Sequence, residues 1–438
     1  MHVHFMGIGG SGVSGVAQIT IAQGYKVSGC DVQTDTPYLA KLKTQSSKVK
    51  IYQNHDASHL NDVDILAVTP AVFFQSAQNS ELQTAKQKNI IMTWQEFMGK
   101  YLHKDKFVIC IAGTHGKSTT TAMVGQLLEK AGLDPTVEVG ATVPTWHSNV
   151  RVGQSKYFIS EADEYYHNFL HYHSDIAIIN NIEMDHPEYF KTFDNVLQAF
   201  VDFVKNIKPG GILIYNSDSS GVQELLLKIS KFELNIQLIS FSLAKFPSDL
   251  ILNVPGNHNK SNALGVIKLA QVLEIDHELT NLELTNFGGI GRRLEELGTK
   301  NKITVIDDYA NHPTAFAANI MAVREKYPNR HIWCVIEPHT FSRLRAVMSE
   351  IPKSLEKADA VIITKIFAGR EKDPGDFSGA DIANYLSPLL PAGRQARYIP
   401  EFTDVVKTLI SESQSGDIIL VMGSGNSYKL SRQILENL

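Results

Sequence analysis

The stretch that most limits what this chain can fold into is residues 107–130, FVICIAGTHGKSTTTAMVGQLLEK. An unbroken apolar run of strand length closes on Gly113 and is followed at once by hydroxyl-bearing residues that open a helix. A strand apolar on both faces must be covered on both faces, as in a parallel sheet flanked by helices. The same strand-then-helix alternation runs through the whole chain, so the expected fold class is α/β with largely parallel sheets.

At 438 residues the chain is too long for one hydrophobic core, and two to three domains are expected. Three blocks separate. The first reads HVHFM as a strand, residues 11–24 as a helix, then KVSGCD and DILAVT as strands, and ends near the charged cluster KYLHKDK. The second adds strands KYFIS, DIAIIN and GILIYN and ends at the glycine- and charge-rich connector GGIGRRLEELGTK. The third runs through KITVIDDY, HIWCVIEP, DAVIITKI and GDIILVMGSG. The expected boundaries are 1–104, 105–297 and 298–438.

Two glycine loops carry chemistry. Gly7, Gly9, Gly10, Ser11 and Gly12 lie in GIGGSG, which fits G-x-G-x-x-G between a strand and a helix, and Asp31 ends the next strand at the spacing of a ribose-binding acid. Such glycines let backbone amides approach a diphosphate, or they simply tighten a turn. In the second loop Gly113, Thr114, His115, Gly116, Lys117, Ser118 and Thr119 resemble a phosphate cradle, yet Ile111 stands where the usual first glycine would be. Backbone amides would wrap the phosphates, Lys117 would neutralise the outer ones, and the Ser118 hydroxyl could coordinate Mg²⁺.

Glu161, Asp163 and Glu164 follow one strand of the second block, and Glu183, Asp185 and His186 follow another, so they can converge where open α/β sheets bind ligands. Carboxylates suit Mg²⁺ and an imidazole can complete a second site, although each acid alone could equally cap a helix or solvate a turn. A net charge of −5 with no basic stripe argues against nucleic acid as a partner. No apolar run approaches the roughly 18 residues of a bilayer span, so no membrane insertion is expected. The N-terminus passes directly into a strand without a basic-then-apolar leader, and a cytoplasmic protein is expected. The scattered Cys30, Cys110 and Cys334 read as reduced structural thiols.

Eight segments in order, GIGGSGVSG, AGTHGKSTTT, EADEYYHNFL, NNIEMDHPEYF, NVPGNHNKSNALG, GRRLEE, DDYANHP and EPHTFSR, resemble the Mur ligases over nearly the whole chain. In that family the short G-T-x-G-K-[ST] loop is the usual ATP loop, which accounts for Ile111. The resemblance implies a Rossmann-like N-terminal domain, a central P-loop ATPase-like domain with a mostly parallel sheet, and a Rossmann-like C-terminal domain. It implies that the first loop, with Asp31 and Thr69, holds the UDP part of UDP-N-acetylmuramate rather than NAD. It places Lys117 on the outer phosphates, Ser118 and Glu161 on one Mg²⁺, and His186 on a second. His258, Asn259 and Asn262 fall on the adenine side, and Arg293 and Asp308 reach ATP. Tyr309, Asn311, His339 and Arg343 would face the amino acid. The implied reaction activates the lactyl carboxylate as an acyl phosphate for attack by L-alanine, with domain closure completing the site and the enzyme acting as a monomer or homodimer.

Two positions depart from the family pattern. Asn311 stands where histidine is usual, and Thr340 replaces an arginine found in many members, which leaves glycine or L-serine open as acceptors. A muropeptide-recycling ligase that transfers a tripeptide is the nearest rival. A dinucleotide-binding oxidoreductase or sensor is the rival from another class, and it leaves the second loop unexplained.

Overall fold

The structure, a computed structural model, describes all residues except 34, 35, 37, 40, 41, 43–48, 71, 74–78, 370 and 392. The described residues form three sheets. The first is formed by β1 (His2–Met6), β2 (Lys26–Asp31), β3 (Lys50–Gln53), β4 (Ile65–Val68) and β5 (Ile91–Thr93), all parallel, in the order β3-β2-β1-β4-β5. The order reverses between β1 and β4, and a crevice at such a reversal is where open α/β sheets bind ligands.

The second sheet contains β6 (Phe107–Ala112), β7 (Thr136–Val143), β8 (Ser148–Arg151), β9 (Tyr157–Glu161), β10 (Ile176–Ile179), β11 (Gly211–Asn216) and β12 (Ile236–Phe241). Its order is β12-β11-β10-β6-β9-β7-β8, parallel except for the β7–β8 pair. β6 is central, flanked by β10 and β9, so the loop after it and the acids after β9 emerge at the same edge. β7, β8 and β12 extend the sheet beyond the strands legible in the sequence.

The third sheet contains β13 (Glu295–Lys300), β14 (Ile303–Asp308), β15 (Ile332–Ile336), β16 (Ala360–Ile363), β17 (Ala396–Tyr398) and β18 (Ile418–Met422), ordered β13-β14-β18-β15-β16-β17. Only the β13–β14 pair is antiparallel. β13 lies in the stretch read from sequence as a connector: an edge strand paired on one side can carry charge, as Glu295, Glu296 and Lys300 do. Along β18, Ile418, Leu420 and Met422 enter one core cluster, while Ile419 and Val421 enter another on the opposite face. That two-sided burial is why IILVM reads as a continuous apolar run.

Two compact units form. One comprises residues 1–184, 192–250 and 261–286 and holds the first two sheets; the other comprises 185–191, 251–260 and 287–438 and holds the third. Within the first unit, helix Ser11–Ala22 packs on β7 and β8, and Asn149 Nδ2 donates to the Ser11 carbonyl at 2.5 Å. No helix among the described residues is long and apolar enough to cross a membrane.

Candidate active site

The first glycine loop is held from below and from the side. Gly7, at φ +81°, donates its N–H to the Cys30 carbonyl at 2.8 Å. Asp31, at the end of β2, accepts the Gly9 N–H at 2.8 Å and the Gln33 N–H at 3.0 Å, so both carboxylate oxygens are engaged by backbone. A Cβ on Gly7 would lie 2.9 Å from the Thr69 methyl, and one on Gly12 would lie 2.9 Å from the Trp94 ring. Gly10 is the cap residue of helix Ser11–Ala22. Gly7, Gly9, Gly10, Ser11, Gly12, Asp31 and Thr69 are therefore gathered at one sheet edge, over the start of a helix that can receive negative charge.

The second loop opens where β6 ends. Ile111 is fully buried within β6, between Ile178 of β10 and Glu161 of β9. It occupies an ordinary strand position that needs no glycine. The backbone turns at Gly113 (φ +131°) and Gly116 (φ +81°), both in the region that side chains disfavour. Asn181 fastens the loop: its carbonyl accepts the Thr114 N–H at 3.1 Å and its Oδ1 accepts the His115 N–H at 2.8 Å. Glu183 donates its N–H to Thr114 Oγ1 at 2.9 Å, and its carboxylate lies 3.4 Å from His115 Nε2. Asn262 packs against Gly116, which leaves no room there for a side chain.

Lys117 and Ser118 begin helix Lys117–Lys130. The Lys117 ammonium donates to the Gly113 carbonyl at 2.8 Å and to Glu164 Oε2 at 2.7 Å, with Asp163 at 3.7 Å. Burial opposes its charge, but Glu164, Asp163 and Glu161 outweigh that and raise its pKa, so it stays protonated. Ser118 Oγ donates to Glu161 Oε1 at 3.0 Å, while Glu161 Oε2 accepts the Gly140 N–H at 2.7 Å. Ser118 and Glu161 thus present hard oxygen atoms at the helix start, the donor chemistry that suits Mg²⁺.

Asn181 and Glu138 were not singled out from sequence, and Glu164 was read there only as one of a cluster of acids. Glu164 is the direct partner of Lys117, and Asn181 is the clip on the loop. Glu138 of β7 is buried, and burial followed by repulsion from Glu161 raises its pKa well above the carboxylate range. A lone acid among β-branched residues in TVEVGATV was the available signal for Glu138.

In the second unit, Asp308 at the end of β14 accepts N–H groups from Leu294 at 2.7 Å and Ala310 at 2.6 Å. Burial raises its pKa, and Arg293 opposes the rise. Asp307 is pushed up to about 6 by burial, against the pull of Arg292. The Arg292 and Arg293 guanidinium groups lie 4.9 and 5.0 Å from the Tyr309 ring centre. Asn311 Nδ2 donates to Ser424 Oγ at 3.0 Å. His258 lies beside Gly256, and Asn259 Nδ2 donates to the Pro255 carbonyl at 2.7 Å.

Arg343 sits on helix Phe341–Val347 and is 4% exposed. It donates Nε at 3.0 Å and Nη2 at 2.7 Å to Asp185 Oδ1, and its Nη1 lies 3.1 Å from His339 Nδ1. Burial and then Arg343 lower the His339 pKa to about 4, so the ring is neutral and accepts that N–H. His186, next to Asp185 and with its Nδ1 3.3 Å from Glu188 Oε1, belongs to this second unit, whereas Ser118 and Glu161 belong to the first. His339, Arg343 and His186 therefore share one network through Asp185. Thr340 Oγ1 donates to Glu371 Oε1 at 2.9 Å.

Comparison with known proteins matches residues 2–105 to the Mur ligase family catalytic domain, 111–251 to the Mur ligase middle domain and 292–425 to the Mur ligase glutamate ligase domain. A UDP-N-acetylmuramate--L-alanine ligase of Clostridium acetobutylicum is 37% identical, covering 99% of this chain and 97% of its own length. The enzyme of that name from Acetivibrio thermocellus is 35% identical over 100% of this chain and 96% of its own. Among solved structures, the UDP-N-acetylmuramate-alanine ligase of Thermotoga maritima matches with a TM-score of 0.80 at 25% identity, covering 100% of this chain and 98% of that one. A murein peptide ligase of Psychrobacter arcticus shares the fold at 23% identity and a TM-score of 0.73, covering 100% and 98%.

Proposed function

The chain belongs to the Mur ligase family, and from that premise we propose that it joins L-alanine to the lactyl carboxylate of UDP-N-acetylmuramate. ATP is converted to ADP and phosphate in the process, and the product is UDP-N-acetylmuramoyl-L-alanine, a peptidoglycan precursor. The observation that carries the reading is the edge around β6, where Lys117 and the Ser118–Glu161 pair flank a loop of backbone amides. Full-length likeness to alanine-adding enzymes selects the substrate. Likeness to the peptide ligase extends to the fold alone.

The proposed division of labour runs in order along the chain. Residues 1–104 hold the nucleotide sugar through the loop at Gly7–Gly12, Asp31 and Thr69; residues 105–297 hold ATP; residues 298–438 serve the amino acid. Gly113, Thr114, His115, Gly116 and Thr119 line the phosphates, Asn262, His258 and Asn259 serve the adenine side, and Arg293 and Asp308 contribute to ATP. Tyr309, Asn311, His339 and Arg343 serve the amino acid, Arg343 through the network that already holds Asp185.

A carboxylate is a poor acylating agent, so one of its oxygens first attacks the γ-phosphorus and ADP leaves. The alanine amine then attacks the acyl carbon, the tetrahedral intermediate expels phosphate, and the nitrogen loses a proton. The Lys117 ammonium, transferred from Glu164 to the phosphates, offsets the charge that develops on the moving phosphoryl group. Ser118 and Glu161 would hold one Mg²⁺ and His186 would help hold another. When bound, Mg²⁺ supplies charge neutralisation at the phosphates.

The test uses substrate carrying ¹⁸O in the lactyl carboxylate. One labelled oxygen is expected in the released phosphate for each peptide bond formed. Peptide product with unlabelled phosphate would refute the acyl phosphate route.

A further inference from the structure

Outside the candidate active site, a second group of metal-ligating side chains converges in the first sheet. His4 on β1, Cys30 on β2, His59 on the short 3-10 helix Ala57–Leu60 and Glu81 in the first turn of helix Ser80–Gln87 come from four different elements. Their ligand atoms all lie within 4.8 Å of one another. His4 Nε2 is 3.0 Å and His59 Nδ1 is 3.4 Å from Glu81 Oε1, and Cys30 Sγ is 3.2 Å from Glu81 Oε2. We propose that these four residues form a zinc site that fastens the base of the N-terminal glycine loop.

Three observations support it. First, His4 and Glu81 are fully buried and the His59 side chain is 8% exposed, and Glu81 Oε1 faces both imidazoles, 3.0 Å from His4 Nε2 and 3.4 Å from His59 Nδ1. Two imidazoles and a carboxylate buried around one point lose their hydration, a cost that a shared cation offsets. Second, the spacings suit a tetrahedral ion: bonds of about 2.0–2.3 Å set ligand atoms roughly 3.3–3.6 Å apart. One thiolate, two imidazoles and one carboxylate select zinc over Mg²⁺ or Ca²⁺. Third, the remaining ring nitrogen of His4 is already oriented. His4 Nδ1 lies 2.7 Å from Ser28 Oγ, which also lies 2.8 Å from His2 Nε2, and this contact holds the ring with Nε2 facing the centre. His55 Nδ1, 3.0 Å from Cys30 Sγ, plays the same supporting part for the thiolate.

The position gives the site a structural consequence. The Cys30 carbonyl accepts the N–H groups of Gly7 and Ile8 at 2.8 and 3.2 Å, and Asp31 follows directly in the chain. An ion on the Cys30 sulfur therefore ties the loop to β1 and to two helices at once.

The test is made on the full-length protein, freed of transition metals by a chelator and kept in excess Mg²⁺ so that the Ser118–Glu161 oxygens are covered. Titration with Zn²⁺ should show one tight equivalent per chain, and Co²⁺ should give a thiolate-to-metal charge-transfer band. Cys30→Ser should abolish that band and Cys334→Ala should keep it. His59→Ala, at the least buried ligand, should weaken Zn²⁺ at least roughly tenfold. Absence of a thiolate band in the wild-type protein, or a band that survives Cys30→Ser, would overturn the proposal. If Cys30→Ser does not fold, the wild-type cobalt spectrum and the His59→Ala affinity decide it, and an unchanged Zn²⁺ affinity in His59→Ala counts against it.

Discussion

Glu164→Gln separates the ligand-free state of the second loop from its phosphate-bound state. Lys117 and Glu164 form an ion pair at 2.7 Å with side chains 12% and 2% exposed, so neither charge is well solvated. Removing one partner of a buried pair costs about 3–5 kcal/mol. Here the Gly113 carbonyl at 2.8 Å and Asp163 at 3.7 Å remain on the ammonium, and the expected loss falls to about 2 kcal/mol. In the proposed role of Lys117, ATP binding transfers its ammonium from Glu164 to the phosphates, so a free state destabilised in this way binds ATP more tightly. A differential of about 1.4 kcal/mol is a tenfold change in affinity. The assay compares thermal unfolding with and without a non-hydrolysable ATP analogue, together with the analogue's affinity by calorimetry. The variant should unfold at a lower temperature when free, gain more from the analogue than wild type does, and bind it about tenfold more tightly. Unchanged stability of the free variant together with weaker analogue binding would refute the reasoning, because Glu164 would then act in the complex and not as the resting counter-ion.

Four further outcomes are expected. Gly116→Ala, which places a methyl group at φ +81° against Asn262, should weaken ATP at least roughly tenfold and leave UDP-N-acetylmuramate binding unchanged, as two separate titrations would show. His103 is buried between Phe158 and Tyr172, and burial followed by Lys208 lowers its pKa to about 3. The unfolded chain therefore takes up a proton first as pH falls below about 6.5, and about 2 kcal/mol of stability should be lost between about pH 7 and pH 5. His103→Gln should flatten that part of the profile of unfolding temperature against pH. Glu138→Gln matches the protonated form of its buried carboxyl and should change stability by less than about 1 kcal/mol. Glu161→Gln, at a carboxylate that faces Ser118, should abolish turnover in a phosphate-release assay.

The α/β class was legible because buried parallel strands read as continuous apolar runs: FVICIA and IILVM could fold in few other ways. β7, β8 and β12 were less legible. In β7 a glycine and a buried acid interrupt the run, and β12 is a largely exposed edge strand. β13 was masked by charge that an edge strand tolerates. In the site, residues borne on loops after strands could be placed from motif and spacing, including Asp31 against Gly9 and Glu161 against Ser118. What spacing could not show was pairing across the fold: Glu164 on Lys117, Asp185 on Arg343, and the buried group of His4, Cys30, His59 and Glu81. The last four are scattered through the first block in no metal-binding pattern; the parallel packing of β1 and β2 brings His4 beside Cys30, and the helices Ala57–Leu60 and Ser80–Gln87 bring His59 and Glu81 to them.

The most direct test of the central claim is the identity of the amine that this enzyme ligates. Purified protein with ATP, Mg²⁺ and UDP-N-acetylmuramate is given L-alanine, glycine, L-serine or the L-alanyl-γ-D-glutamyl tripeptide in separate reactions, and the nucleotide-sugar product is weighed by mass spectrometry. The account predicts that L-alanine gives the highest kcat/KM, with ADP, phosphate and product formed in equal amounts. Turnover with the tripeptide and none with L-alanine would contradict it.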